Sequence, residues 1–127
     1  MNKVDAEKLL LAMVSAYVWV ASSDEVVGTA EYNKFRTVLI ESPFATQIVD
    51  EDMIEARHTF KDMVSLFDSD YEKAVNLTRN RLKNFTTQPV MAEEIIRISR
   101  AAIIADAKIN EVEEVVFREI KTELQKD

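Results

Sequence analysis

Two acidic pairs in this 127-residue chain have a spacing that could do chemistry. Asp24 is followed seven positions later by Glu31, and Asp106 seven positions later by Glu113. An Asp at the end of one helix and a Glu in the first turn of the next can face one small space when the loop between them folds back. If two such loops are adjacent, four carboxylates meet. Carboxylates at close range repel, so a raised pKa or a divalent cation must relieve them. Oxygen-only donors suit Ca²⁺ or Mg²⁺ better than zinc. The loops are not EF-hands, which need more ligands, a central Gly and a Glu eleven positions after the first ligand.

The two pairs belong to a longer repeat. Shifting the chain by 82 positions lays Asp24 on Asp106, Val27 on Ile109, Glu31 on Glu113, Phe35 on Phe117, Arg36 on Arg118, Val38 on Ile120 and Glu41 on Glu123. Upstream, Val14 falls on Ile96 and Val20 on Ala102. Each copy reads as apolar helix, Asp, short loop, helix start, Glu. A pseudo-two-fold pairing of two helix–loop–helix units is expected, with both loops on one side. A plainer reading stands beside it. Asn110 and Glu113 have capping-box spacing, and Glu111, Glu113 and Glu114 suit a helix N-terminus through its dipole.

Composition narrows the alternatives. With no Cys, disulfides, thiolate metal sites and a cysteine nucleophile are out. His58 is the single His, so a multi-His site within one chain is out, and nothing accompanies it to make a nucleophilic triad. One Gly rules out a P-loop and a dinucleotide fingerprint. The net charge of -7 disfavours nucleic acid and anionic membrane surfaces as partners. The most apolar run, residues 9–21, is shorter than the ~20 residues of a membrane span, so a buried core helix is expected instead. The first eight residues show no cleavable signal pattern, and no secretory leader is expected.

One Gly and two Pro argue for helices joined by short loops, in a single all-α domain over residues 1–127. Periodicity and capping predict seven helices near residues 5–21, 30–40, 44–48, 50–67, 70–85, 89–105 and 111–125. Tyr32, Phe35, Val38 and Leu39 should share the inner face of the second. Met53, Ile54, Phe60, Met63, Val64 and Phe67 should point inward from the fourth. Ser69 with Glu72 has capping-box spacing for the fifth, with Asp70 the other candidate cap. Pro89 fits the first turn of the sixth, and Asn110 the cap of the seventh. The acidic corner Asp68-Ser69-Asp70 reads as caps, or as a supplementary carboxylate pair beside the same cation. Asp50-Glu51-Asp52 reads as a dipole-complementing helix start. Arg79-Asn80-Arg81-Leu82-Lys83 reads as a solvated basic helix end, and Tyr17, Trp19 and the methionines as core.

The pattern Asp-x-x-[Val/Ile]-x-x-x-Glu, repeated in residues 23–31 and 105–113, resembles the TerB family of tellurite-resistance proteins. Residues 64–72 and Gln88-Pro89 ahead of the last two helices also look like that family, so the likeness spans most of the chain. It departs where the family usually has Gly directly after each Asp. Here Glu25 and Ala107 stand in those places, and Glu25 offers an additional oxygen ligand. The resemblance implies a seven-helix domain in bacterial or phage stress response, non-catalytic, with an acidic interaction surface. It also implies divalent-cation binding, with Asp24, Glu31, Asp106 and Glu113 as metal ligands. The location it implies is cytoplasmic, extending to the inner-membrane periphery. The partner it implies is a protein, including a membrane-bound component of the same resistance system. Two other readings remain open on the residues: a metal-independent adaptor that binds a protein, and a Mg²⁺-dependent hydrolase.

Overall fold

A computed structural model describes residues 2–23, 27–50, 52–104 and 111–125. Among these the protein is all helical, with no strand. Seven α-helices follow in order: α1 (Lys3–Ser22), α2 (Thr29–Ile40), α3 (Ala45–Ile48), α4 (Ile54–Ser69), α5 (Tyr71–Leu82), α6 (Pro89–Ile104) and α7 (Glu111–Leu124). A 3₁₀ turn, Lys83–Phe85, extends α5.

The apolar run becomes the axis of the fold. Asn2 starts α1, its Oδ1 accepting from the Asp5 N–H at 2.8 Å. Every residue from 12 to 21 is buried, as a helix that is apolar all round requires. α3, α4, α5, α6 and α7 all pack against it, and the buried side chains of the seven helices form one contiguous core. No described helix is long and apolar enough to cross a membrane.

α1 presents two different aromatic faces. Tyr17 and Trp19 are two residues apart, about 200° round a helix, so they leave α1 on nearly opposite sides. Tyr17 meets Phe35 of α2 edge-on at 5.1 Å and Phe60 of α4 at 6.2 Å, and Tyr32 lies edge-on to Phe60 at 5.2 Å. Trp19 donates from Nε1 to the Tyr71 hydroxyl at 3.1 Å, under the Arg79 guanidinium at 5.7 Å.

α2 stops at Ile40, ahead of the Ser42-Pro43 turn, where the Ser42 Oγ accepts from the Phe44 N–H at 3.2 Å. Phe35 and Leu39 are its buried residues, with Tyr32 and Val38 packed part-way. Arg97 of α6 caps α2 from outside, donating from Nη2 to the Val38 carbonyl at 3.3 Å while Glu94 Oε1 accepts from its Nε at 2.8 Å. Pro89 occupies the first position of α6, where its missing N–H costs nothing.

Four expectations are corrected. α4 begins at Ile54 rather than near Asp50, because Met53 adopts a left-handed conformation at φ 55°. Asp50 still serves this start, its Oδ2 accepting from the Glu55 N–H at 3.4 Å. The later start turns Ile54 outward, to 48% exposure. Ser69 does not open α5. It closes α4, its Oγ donating to the Ser65 carbonyl at 2.8 Å, and Asp70 caps α5 by accepting from the Lys73 N–H at 3.2 Å. The stretch 79–83 is solvated only in part, at Asn80 and Lys83. Arg81 reaches inward and donates to the Ser15 Oγ at 2.7 Å and to the Met63 Sδ at 3.3 Å, and burial lowers its pKa.

Candidate functional site

The site is built at the two helix corners, α1–α2 and α6–α7. α1 and α6 end 82 residues apart, and α2 and α7 begin 82 residues apart. Glu31 and Glu113 are each the third residue of their helix. In that first turn a carboxylate is favoured by the positive end of the helix dipole. Asp24 and Asp106, with Glu25 and Asn110, lie outside the described residues.

Tyr17 lies against the first of the two described carboxylates. Its hydroxyl stands 3.4 Å from Glu31 Oε2 and 3.5 Å from the Glu31 carbonyl oxygen. Both contacts are long for O–H···O, which is strong below about 3.0 Å, so charge links these groups more than a tight hydrogen bond does. Tyr17 is fully buried. Burial pushes its pKa well above the ordinary value of 10.0, Glu31 pushes it further by charge and by hydrogen bonding, and the charge of Glu113 adds to the same effect. Two carboxylates from opposite ends of the chain therefore act on one phenol. That phenol stays protonated at neutral pH, and it donates to Glu31 rather than serving as a base or an anionic ligand.

The carboxylates differ in setting. The Glu31 side chain keeps 15% of its surface exposed and accepts from Lys34 Nζ at 3.5 Å. Glu113 is buried at 4% exposure. A carboxylate taken this far from water must be paired or hydrogen-bonded. The donors available at this point, carboxylate and neutral hydroxyl oxygens, have the hard character that Ca²⁺ or Mg²⁺ prefers. Among the described residues no group of three metal-ligating side chains comes together.

Other acidic candidates separate from this point. Asp70 is committed to capping α5, and its neighbour Tyr71 reaches α1 on the Trp19 side, away from Tyr17. His58 is an exposed residue of α4. Tyr17 was missed as a site residue because it sits in an uninterrupted apolar run. The signal that could have revealed it is its hydroxyl, which needs a partner wherever the ring is buried. Glu123, aligned with the exposed Glu41 by the 82-residue shift, is also buried, at 5% exposure. No protein-family model, curated protein or solved structure matches this chain.

Proposed function

We propose that this chain is a non-catalytic, TerB-like interaction module of a stress response, responsive to Ca²⁺ or Mg²⁺ through carboxylates at its two helix corners. The observation that carries the reading is the Glu31 carboxylate 3.4 Å from the buried Tyr17 hydroxyl, whose pKa the charge of Glu113 also raises. It supports a common space for the two motifs. The 82-residue register of the helix ends supports treating the α1–α2 and α6–α7 corners as pseudo-repeated halves. In this reading Glu31 and Glu113, with Asp24 and Asp106 from the preceding loops, hold the cation and so join the two ends of the chain. Tyr17 orients Glu31 as a neutral donor. The acidic face around the cation receives a protein partner.

A cation that binds only the folded state raises its stability by RT ln(1 + [L]/Kd). Thermal melting with and without millimolar Ca²⁺ or Mg²⁺ tests this, alongside isothermal titration. Wild type should gain stability and give saturable heat. Glu113→Gln keeps shape and hydrogen-bonding capacity, so it should fold normally and lose the response. A flat titration and identical melts for both proteins would falsify cation binding in that range.

The alternative is a metal-independent adaptor. It is favoured by Val112 and Val115, apolar side chains 49% and 53% exposed in the first half of α7, beside the same corner. In that case Val115→Asp would weaken partner capture while the cation changes nothing.

A further inference from the structure

A cleft of about 640 Å³ opens between the start of α2 and α4. Its walls are Val27, Tyr32, Phe60 and Val64, and Arg57 and Lys61 stand exposed at its edge. Arg57 and Lys61 are four residues apart on α4 and so share one helix face, one turn from each other. Among the described residues neither side chain forms an ion pair and no carboxylate lines the cleft. In a chain of net charge -7 this is a local concentration of positive charge beside an apolar wall.

Two further features belong to the wall of the cleft. The Tyr32 hydroxyl is closed off from solvent and has no hydrogen-bond partner among the described residues. Gly28, which borders the cleft, begins α2 with no side-chain cap among the described residues.

We propose that this cleft binds a small organic carboxylate with an apolar body. The carboxylate pairs with the Arg57 fork and the Lys61 ammonium, and the body lies against Val27, Tyr32, Phe60 and Val64. A carboxylate is favoured over a phosphate because a dianion costs more to bring against a mostly apolar wall. The inference is independent of the cation reading, since none of these residues belongs to the Tyr17–Glu31–Glu113 group.

The test uses the full chain, with octanoate as probe and octanol, octylamine and octyl phosphate as comparisons, followed by isothermal titration. Two variants remove the site by different routes. Arg57→Gln with Lys61→Gln deletes both cations at exposed positions. Gly28→Asp places a carboxylate at the cleft and also supplies a favoured N-cap. A Cβ at Gly28 would meet nothing within 4 Å, and the backbone there is not left-handed, so this variant should fold at least as well as wild type. The expected result is one-to-one octanoate binding, no binding of octanol or octylamine, and a loss of about tenfold or more in affinity for each variant, as expected when charge-assisted hydrogen bonds are lost. No saturation at low-millimolar octanoate, equal binding of octanol or octylamine, or undiminished binding by either variant would overturn the proposal. Tighter binding of octyl phosphate would overturn the assignment to a carboxylate.

Discussion

The α1–α2 and α6–α7 corners carry the same residue types at the same spacing, yet they treat them differently. Phe35 is wholly buried within the ring cluster of Tyr17 and Phe60, whereas its counterpart Phe117 is only partly covered, with Lys121 Nζ 5.8 Å from its ring. Glu31 is partly solvated and paired with Lys34, whereas Glu113 is buried. The helix that feeds the first corner is enclosed on all sides from residue 12 to 21, and the one that feeds the second is buried along a stripe that includes Ile95, Ile98 and Ala102. Identical spacing therefore does not give identical energetics. The first corner is anchored by aromatic packing and leaves its carboxylate partly solvated. The second is less tightly packed at its aromatic residue and carries the carboxylate with the larger desolvation cost.

The sharpest break in this comparison is a pair of truncations. Phe35→Ala should cost about 3–5 kcal/mol, the range for removing a buried ring. Phe117→Ala should cost about 1 kcal/mol, because less of its surface leaves water on folding. Urea unfolding of the two variants measures the difference, and equal losses would erase the distinction between the corners.

The next effect is in pH. Because the Tyr17 pKa is raised in the fold, the folded state keeps its proton where the unfolded chain loses it. Its stabilising contribution is complete below about pH 10 and declines above it, by up to about 1.4 kcal/mol per pH unit. Tyr17→Phe should flatten this alkaline decline in urea midpoints. An unchanged slope would remove Tyr17 as the link between the carboxylates.

A smaller effect separates the carboxylates themselves. Glu31 acts on Tyr17 by charge and hydrogen bond, Glu113 by charge alone. Ultraviolet difference titration should therefore show Glu31→Gln lowering the Tyr17 transition more than Glu113→Gln does. The reverse order would mean that Glu113 lies nearer the phenol. The smallest effect is at the bridge between α6 and α2. Arg97→Ala should cost about 1 kcal/mol by releasing the Val38 carbonyl and leaving Glu94 without its partner.

Much of this was legible in the residues. The apolar run 9–21, the Pro43 stop and Pro89 at a helix start are local signals, and each was met within a residue or two. The Ser69 miss is local, a choice between neighbouring caps, and the others come from contact at long range. Arg81 looks like a surface base until Ser15, 66 residues away, receives it. Tyr17 looks like core until Glu31 is brought to its hydroxyl. Met53 has no residue type that announces a left-handed backbone; its burial at 5% exposure shows that the core, not local preference, holds it there. For the site, spacing nominated Glu31 and Glu113, but it could not tell their different burial, which depends on what packs over each corner.

The single tryptophan has an optical consequence. Trp19 faces Tyr71 and Arg79, on the opposite side of α1 from Tyr17. Its emission therefore reports on the seam between α1 and α5. An event confined to Glu31 and Glu113 should leave it nearly silent, while tyrosine absorbance responds. A change in intrinsic fluorescence on adding a cation would instead mean that the central helix has moved as a body, carrying the perturbation from one face to the other.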